Sequence, residues 1–306
     1  MYNKKVIEKI NKLKGKKNAI ILAHNYQVPE IQDIADFIGD SLELARKASG
    51  IKDKDIIVFC GVDFMAEMAA ILNPDKIVLV PSPTARCPMA AQLPADRLIE
   101  YKNKYPDAGV VVYVNTLAET KAEADIVCTS ANAIKVVNSL PQKTVLFGPD
   151  ANLARWVAIN VPEKKIIPVP QDGGCYVHEK ITLEDVEKSR RDHPFAELMV
   201  HPESPPEIQD TADFVLSTGQ MIKHAGQSNS KEFIVGTERD MTYRLQKLYT
   251  EKRFYPINEE RICVQMKKNT MEGIYLALKN MENKVSVKPE TVDKAKKAIE
   301  RMLEIK

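Results

Sequence analysis

Short apolar runs recur along the chain, and each ends in a polar residue, a glycine or a proline, as buried strands of parallel sheets do. Runs of the first type end in a polar side chain, in AIILAHN, VVVYVN and ELMVHPE. Runs of the second type end in glycine (KDIIVFCG, KTVLFG, KEFIVG), and runs of the third end in proline (KIVLVP, KKIIPVP, KRFYP). Proline removes a ladder hydrogen bond and so marks where a strand stops. The order of the runs predicts three strands in each of three successive stretches of chain.

A seven-residue phrase recurs at the same place in each stretch, between the first run and a helical segment. It reads ADFIGDS from residue 35, ADIVCTS from residue 124 and ADFVLST from residue 212. Repetition at a fixed period indicates duplicated structural units. The chain is therefore predicted to be an α/β protein of three homologous three-layer βαβαβ units, with parallel sheets arranged about a pseudo-threefold axis. The predicted units comprise residues 1–86 together with 264–306, residues 87–174, and residues 175–263.

Both ends of the chain are predicted to form amphipathic helices. Near the N-terminus, apolar residues from Val6 to Leu13 recur at helical spacing among lysines. Near the C-terminus, the segment ETVDKAKKAIERMLEI places apolar side chains from Val292 to Leu303 on one helical face. We expect the C-terminal helix to pack beside the N-terminal helix and so return the chain to the first unit.

Composition and charge narrow the class of protein. Hydrophobic residues make up 44% and charged residues 28% of the chain, as in ordinary folded domains. The 44 basic and 42 acidic residues form no blocks of one sign, so neither nucleic acid nor a membrane is a predicted partner. No apolar stretch has the length of a membrane span or the form of a secretory signal. The five cysteines are scattered and odd in number, which favours a reducing, cytoplasmic location over a disulfide framework.

Three of the five cysteines recur once per unit. Cys87, Cys175 and Cys263 follow the third run of each unit, in ARCPMA, GGCYVH and RICVQM. Cys60 and Cys128 have no such equivalents and are predicted to lie in the core. Equivalent positions in three packed units can meet at one centre, and three thiolates leave one iron of a [4Fe–4S] cluster open to substrate. The sequence therefore predicts one such cluster, whose open iron acts as a Lewis acid.

Other interpretations of these cysteines stay open. Free cysteine is often buried, so the three residues could lie in separate cores without meeting. Zinc is the competing metal, although structural zinc sites commonly contain paired ligands such as CxxC, which these cysteines lack. A metal-free module that closes around an anionic ligand is a further alternative.

Ligands of parallel sheets bind beyond the carboxyl ends of the strands, so the residues that follow each first strand are predicted to surround one cavity. These residues are His24, Asn25, Tyr26, Tyr113, Asn115, His201 and Glu203. The last residue of each repeated phrase is Ser41, Ser130 or Thr218, and we expect these hydroxyls to cap the helices that follow. Helix N-termini also favour anions, which predicts a substrate with several acidic groups. His178, three residues after Cys175, is predicted to donate to a ligand or to tune the cluster.

Longer motifs carry a family resemblance. AHNYQVPEIQDIADFIGDSLELAR, YVNTLAETKAEADIVCTSANA, FGPDANLA, HPES and TERDMTYRL accompany the three cysteines. In these motifs, and over essentially its whole length, the chain resembles the quinolinate synthase family of NAD biosynthesis. The resemblance implies the threefold α/β architecture, a [4Fe–4S] cluster with one open iron, and condensation of iminoaspartate with dihydroxyacetone phosphate to quinolinate, phosphate and two waters. An L-aspartate-oxidising enzyme is then the expected upstream supplier of iminoaspartate.

Carried over residue by residue, the resemblance implies the members of the site. The cluster ligands are Cys87, Cys175 and Cys263. The substrate contacts are His24, Ser41, Tyr113, Asn115, Ser130, His201, Glu203 and Thr218, and His178 joins them on its position after Cys175. The catalytic residues are predicted to be Tyr26, Tyr113, His201 and Glu203. Acid–base chemistry assigns proton movement to Glu203 and His201, with the two tyrosines assisting at the triose hydroxyl or carbonyl.

Two alternative functions remain at this stage. A cluster-dependent hydro-lyase acting on another small polyacid is the nearest, because Lewis acidity alone does not choose the substrate. A redox or iron sensor belongs to a different class, and the absence of a basic recognition face in the sequence weighs against it.

Overall fold

The computed structural model describes residues 4–305, which contain three parallel sheets of four strands each. The first sheet comprises β1 (Ala19–His24), β2 (Phe37–Gly39), β3 (Ile56–Cys60) and β4 (Ile77–Leu79). The second comprises β5 (Gly109–Tyr113), β6 (Ile126–Cys128), β7 (Thr144–Gly148) and β8 (Lys165–Pro168). The third comprises β9 (Glu197–Val200), β10 (Phe214–Val215), β11 (Glu232–Gly236) and β12 (Arg253–Pro256). All three sheets have the same strand order, β2-β1-β3-β4 and its counterparts, so the prediction of three homologous α/β units is confirmed.

Helices connect the strands and cover the sheets. They are α1 (Lys4–Lys16), α2 (Pro29–Ile34), α3 (Ser41–Ser49), α4 (Asp63–Leu72), α5 (Ala95–Lys104), α6 (Ala118–Ala122), α7 (Ala133–Ser139), α8 (Ala151–Asn160), α9 (Leu183–Asp192), α10 (Pro206–Thr211), α11 (Thr218–Gln227), α12 (Met241–Leu248), α13 (Met271–Asn280) and α14 (Pro289–Glu304). Two short 3-10 helices lie at Ala90–Gln92 and Met266–Lys268. Over residues 4–305, no helix combines the length and the apolar character needed to cross a membrane. The unit boundaries and the pseudo-threefold axis stay predictions.

The structure has four strands per unit where the sequence pattern predicts three, and the repeated phrase forms the fourth. β2, β6 and β10 are two or three residues long, too short to show a strand periodicity in sequence. The aspartate before each of these strands accepts a hydrogen bond from a backbone N–H of the neighbouring first strand. These bonds join Asp36 to Ile21, Asp125 to Val110 and Asp213 to Leu198, at 2.8, 2.8 and 2.7 Å. The aspartate of the phrase therefore fixes the edge strand to the sheet.

The C-terminal helix does not pack beside the N-terminal helix as expected, although it does return the chain to helices of the first unit. α14 packs against α6 and β6, and also against α3 and α4. The helix that packs beside α1 is α13. The reason lies in their apolar faces: residues of α14 from Ala295 to Met302 join the core shared by the first two sheets, whereas Ile274 and Ala277 of α13 pack with Ile10 of α1.

The hydrophobic core is shared unequally among the three sheets. Side chains of the first sheet, such as Phe59, and of the second, such as Phe147, belong to one continuous buried cluster. The third sheet has its own clusters, one containing Ile234 and the other Phe233. Successive residues of β11 thus face opposite sides of a sheet that is buried on both faces, as expected for a parallel sheet covered by helices.

Candidate active site

One cavity brings together residues that follow strands of all three sheets. Its lining includes His24, Tyr26, Ser41, Cys87, Tyr113, Asn115, Ser130, Cys175, His178, His201, Glu203, Thr218 and Cys263. Every residue that the resemblance or the repeat assigns to catalysis, substrate or cluster therefore faces this space. Asn25 is the exception among the strand-end residues, because it is fully buried behind the wall and its Nδ2 donates to Thr218 Oγ1 at 3.0 Å.

A continuous series of polar contacts joins Tyr26 and Tyr113 in the cavity. The Tyr113 hydroxyl donates a short hydrogen bond to Glu203 Oε1, and His178 Nδ1 lies 2.8 Å from Glu203 Oε2. On the other side of the imidazole, His178 Nε2 lies 2.7 Å from Thr237 Oγ1, which in turn lies 2.5 Å from the Tyr26 hydroxyl oxygen. The tautomer of His178 with hydrogen on Nδ1 fits this order, since Nε2 then accepts from Thr237. Glu203 thus lies between Tyr113 and His178 in a hydrogen-bonded series of five residues drawn from three parts of the chain.

Burial and neighbouring groups determine which acidic and imidazole side chains of the cavity are charged. Burial opposes ionisation of Glu203, but His201, His178 and the Tyr113 hydroxyl together lower its pKa to about 2. Burial lowers the pKa of His201 to about 3 despite the opposing effect of Glu203. Burial likewise lowers the pKa of His24 to about 3. At neutral pH the Glu203 carboxylate therefore lies beside the uncharged imidazoles of His24 and His201.

The tyrosines of the cavity are held in their protonated form. Burial, followed by the negative charge of Glu203, raises the pKa of both Tyr26 and Tyr113 well above its ordinary value. A protonated phenol donates a hydrogen bond, and Tyr113 already donates to Glu203. The two hydroxyls are suited to donate to oxygen atoms of a ligand and to exchange protons with the carboxylate.

The three repeated hydroxyls do not cap their helices, so that prediction is wrong. The cap of α3 is Asp40, whose carboxylate accepts from the backbone N–H of Glu43, and Ser41 is the first helical residue. The cap of α11 is Ser217, and Thr218 is the first helical residue. A capping side chain turns back onto the helix backbone, which would have withdrawn it from the cavity. Assigning the cap to the preceding residue leaves the Ser41 and Thr218 hydroxyls facing the cavity.

Ser130 differs from its two counterparts because its helix begins later. α7 starts at Ala133, and the side chain of Asn132 instead closes a turn by accepting from the backbone N–H of Thr129 at 2.8 Å. The Ser130 hydroxyl contacts His201 Nε2 at 3.1 Å across the cavity. All three hydroxyls still line the same space, although helix dipoles act directly only at the first turns of α3 and α11.

The three repeat cysteines meet at the cavity, which contradicts the interpretation that they lie in separate cores. Cys87, Cys175 and Cys263 all line it, and Cys263 raises the pKa of both other thiols electrostatically. Burial is the largest cause of these shifts and raises the pKa of Cys87 to about 12. By contrast, Cys60 and Cys128 are the last residues of β3 and β6 and have no exposed surface, so their predicted core positions are confirmed.

The cavity contains a group of side chains that could bind a metal. One donor atom from each of Cys175, His178 and Glu203 lies within 4.8 Å of the others. The thiols of Cys87, Cys175 and Cys263, which all line the cavity, form a second and wider set of donor atoms. Backbone N–H groups of two of these cysteines are already fixed by carboxylates: Cys87 N donates to Asp63 Oδ1 at 3.0 Å, and Cys263 N donates to Glu238 Oε1 at 3.2 Å. A soft thiolate set of this kind fits an iron–sulfur cluster.

Some residues of the site were missed by the sequence analysis. Thr237 links Tyr26 to His178, and it directly follows the glycine that ends β11. Asp40 lines the cavity next to Ser41, and burial raises its pKa to about 6. Tyr176 lines it next to Cys175. Asp40 and Tyr176 each adjoin a predicted site residue, and Thr237 follows the glycine that ends a predicted strand, so position within the repeat was the available signal.

Comparison with known proteins identifies the family. A sequence model of the family described as quinolinate synthetase A protein matches residues 8–304. The quinolinate synthase of Thermococcus kodakarensis is 59% identical over 305 residues, covering 100% of each chain. That of Pyrococcus abyssi is 58% identical over 300 residues, covering 98% of this chain and 99% of the relative. That of Dehalococcoides mccartyi is 52% identical over 305 residues, covering 100% of each. Because both the family match and these similarities extend over nearly the full length, the chain belongs to the quinolinate synthetase A protein family.

Proposed function

We propose that the chain is a quinolinate synthase, which condenses iminoaspartate with dihydroxyacetone phosphate and releases phosphate and two waters. The observation that carries the proposal is the cavity itself. It combines three thiols, the buried Glu203 carboxylate and the protonated phenols of Tyr26 and Tyr113 with hydroxyls suited to anionic groups. Family membership supports the same reaction, because the relatives that cover the whole chain are named for it.

The proposed cofactor is one [4Fe–4S] cluster held by Cys87, Cys175 and Cys263. Their buried thiols must lose protons to bind metal, so loading releases protons and is favoured by raised pH. When bound, the cluster supplies a Lewis-acidic iron with an open coordination position. The narrower group that contains His178 and Glu203 is the competing metal site, and occupying it would remove Glu203 from proton transfer.

Substrate binding is assigned to the polar residues at the carboxyl ends of the strands. Both substrates carry anionic groups, and α3 and α11 begin with Ser41 and Thr218, whose hydroxyls line the cavity at the positive ends of these helix dipoles. Ser130, Asn115 and His24 complete the hydrogen-bonding wall. His24 and Thr218 are buried, and this limited contact with water strengthens their hydrogen bonds to a ligand.

Proton transfer is assigned to the series around Glu203. The carboxylate accepts protons as the base, and its low pKa keeps it ionised at neutral pH. Nδ1 of His201 accepts from the backbone N–H of Glu203, so the uncharged imidazole carries its hydrogen on Nε2 and can donate from there, where it now contacts Ser130. Tyr26 and Tyr113 donate hydrogen bonds toward a carbonyl or hydroxyl oxygen of the triose. If Tyr26 gives up its proton, the proton is replaced through Thr237 and His178. If Tyr113 gives up its proton, the proton is replaced by Glu203 after that carboxylate has accepted one.

The proposed setting follows from the chemistry of cofactor and substrate. Iron–sulfur chemistry with an exposed iron requires a reducing compartment, so we place the protein in the cytoplasm. Iminoaspartate arises by oxidation of L-aspartate, so an L-aspartate-oxidising enzyme is the proposed supplier.

Product analysis after anaerobic reconstitution tests the proposal. Protein supplied with iron and sulfide should bind both in equal amounts and convert iminoaspartate and dihydroxyacetone phosphate to quinolinate. A protein that holds the cluster but dehydrates another small polyacid instead would support the hydro-lyase alternative. Binding of a lone metal without sulfide would favour the group of Cys175, His178 and Glu203 and would contradict the proposed cofactor.

A further inference from the structure

Each cysteine loop is fastened to its own sheet by the same backbone bond. A residue at the start of the helix that follows the second long strand donates its N–H to the carbonyl oxygen two residues before the cysteine. These bonds run from Asp63 to Ala85, from Ala151 to Gly173 and from Arg239 to Arg261, at 2.9, 2.8 and 2.9 Å. The repeated bond positions each loop relative to one sheet, but it does not position the three loops relative to one another.

A side chain joins the first cysteine loop to the second. Gln92, five residues after Cys87, accepts from the backbone N–H of Gly174 at 2.9 Å and donates to the carbonyl oxygen of the same residue at 3.2 Å. Gly174 directly precedes Cys175. Both polar atoms of the Gln92 amide are therefore bonded to the backbone of one residue beside a cysteine, which fixes the distance and the orientation between the loops.

A second side chain joins the second loop to the third. Tyr176 directly follows Cys175, and its hydroxyl oxygen accepts from the backbone N–H of Val264 at 2.9 Å. The same hydroxyl forms a side-chain hydrogen bond with the Cys263 thiol. Accepting from the backbone leaves the phenolic proton free to point at the sulfur.

A third side chain closes the circle. Lys268, five residues after Cys263, donates from Nζ to the carbonyl oxygen of Thr84 at 2.9 Å. Thr84 lies three residues before Cys87, so this bond returns from the third loop to the first. Lys268 is exposed, and its bond is weakened by water relative to those of Gln92 and Tyr176.

We propose that Gln92, Tyr176 and Lys268 are positioning residues that link the three cysteine loops in a closed ring and so hold the thiols in place before a cluster is bound. The inference rests on the proposed function in taking the cysteines as cluster ligands. Groups outside the first ligand shell orient the ligands and commonly alter metal affinity when they are removed. A ring has a further consequence: each loop is held from two sides, so breaking one link leaves the other two to limit its motion.

Cluster retention tests the ring without reference to turnover. Gln92→Ala removes both bonds to Gly174, and Tyr176→Phe removes only the hydroxyl. Each variant is reconstituted anaerobically and challenged with an iron chelator, and the rate of iron loss is followed by absorbance. We expect loss about 10-fold faster than in the wild type for either variant. Thermal unfolding of the cluster-free proteins, compared with the controls below, separates retention from general instability.

Matched controls remove the same kinds of bond elsewhere. Gln246 donates to the backbone carbonyls of Tyr249 and Lys252, and the Tyr249 hydroxyl donates to the carbonyl of Ile222. Gln246→Ala and Tyr249→Phe should lose iron at the wild-type rate. The ring is overturned if Gln92→Ala and Tyr176→Phe retain iron as the wild type does, or if the controls lose it equally fast. A wild-type protein that binds no iron–sulfur cluster would instead overturn the proposed function, and the ring with it.

Discussion

Two sets of cysteines occupy different regions of the same fold. Cys60 and Cys128 end β3 and β6 inside the sheets and have no exposed surface. Cys87, Cys175 and Cys263 lie in loops beyond the carboxyl ends of the strands, where all three line one cavity. The first two contribute packing, and the other three offer donor atoms to a shared space. Location relative to the strand ends, rather than residue type, separates a core cysteine from a candidate ligand.

Glutamates around β9 show the same contrast over a few residues. Glu197, at the start of the strand, pairs with His224 at 2.7 Å and is partly exposed. Glu203, three residues beyond the end of the strand, is buried beside Tyr113 and His178. Strand starts therefore carry surface ion pairs, whereas strand ends carry the reactive groups, as expected for parallel sheets. Four predictions test this division between the two regions.

The largest expected effect is the loss of one loop cysteine. Cys175→Ser should abolish cluster binding and quinolinate formation, because the remaining thiols cannot hold the cluster from three sides. Cys128→Ala, its control in the strand, should keep both and lose about 1–2 kcal/mol of unfolding free energy through the cavity it leaves. Iron and sulfide analysis, product assay and denaturant unfolding measure these outcomes. Equal cluster content in the two variants would remove the distinction between the regions.

Replacing Glu203, beyond the end of β9, and Glu197, at its start, with glutamine should give the next largest difference. Glu203→Gln removes the carboxylate of the proton-transfer series, so kcat should fall about 10²–10⁴-fold while the protein remains folded. Glu197→Gln should leave kcat unchanged, because a partly exposed ion pair contributes at most about 1 kcal/mol to stability. Steady-state kinetics with reconstituted protein decide the question. Undiminished turnover of Glu203→Gln would remove Glu203 from catalysis.

Acid sensitivity should report the burial of His24 at the strand end. Its pKa is lowered to about 3 in the folded state, so the unfolded state takes up the proton first as pH falls below about 6.5. Stability from this group is complete above that pH and is lost on acidification, by about 2 kcal/mol between pH 7 and pH 5. In His24→Asn, whose amide oxygen can still accept from the backbone N–H of Tyr26 as Nδ1 does, the loss should be smaller by that amount. Urea unfolding of cluster-free protein at both pH values measures the difference. An identical pH dependence in the two proteins would show that His24 is accessible to protons.

The smallest expected effects distinguish the roles of Ser217 and Thr218, whose hydroxyls are adjacent at the start of α11. Ser217→Ala removes the helix cap and should cost about 1 kcal/mol of unfolding free energy, with substrate binding retained. Thr218→Ala leaves the cap in place and should raise KM, because its hydroxyl faces the cavity. Thermal unfolding and KM for both substrates form the readout. A loss of stability in Thr218→Ala together with a raised KM in Ser217→Ala would instead make Thr218 the capping residue.

Much of the architecture followed from the sequence because apolar runs and repeats are local signals. The long strands, the three homologous units and the amphipathic N-terminal helix are all present in the structure. The edge strands were missed because two or three residues cannot display a period. The caps were misplaced by one residue at Ser41 and Thr218, since a hydroxyl or carboxylate neighbour could serve equally well by residue type.

The sequence by itself determined the repeat, and with it which cysteines, hydroxyls and strand-end residues are equivalent. It could not determine that Thr237 bridges Tyr26 and His178, that Gln92 reaches Gly174, or that α14 covers the second sheet. Each of these contacts joins residues separated by many positions in the chain, and their distances depend on how the units pack. Local patterns fix which residues stand at the ends of strands, but only tertiary packing decides which of those ends meet.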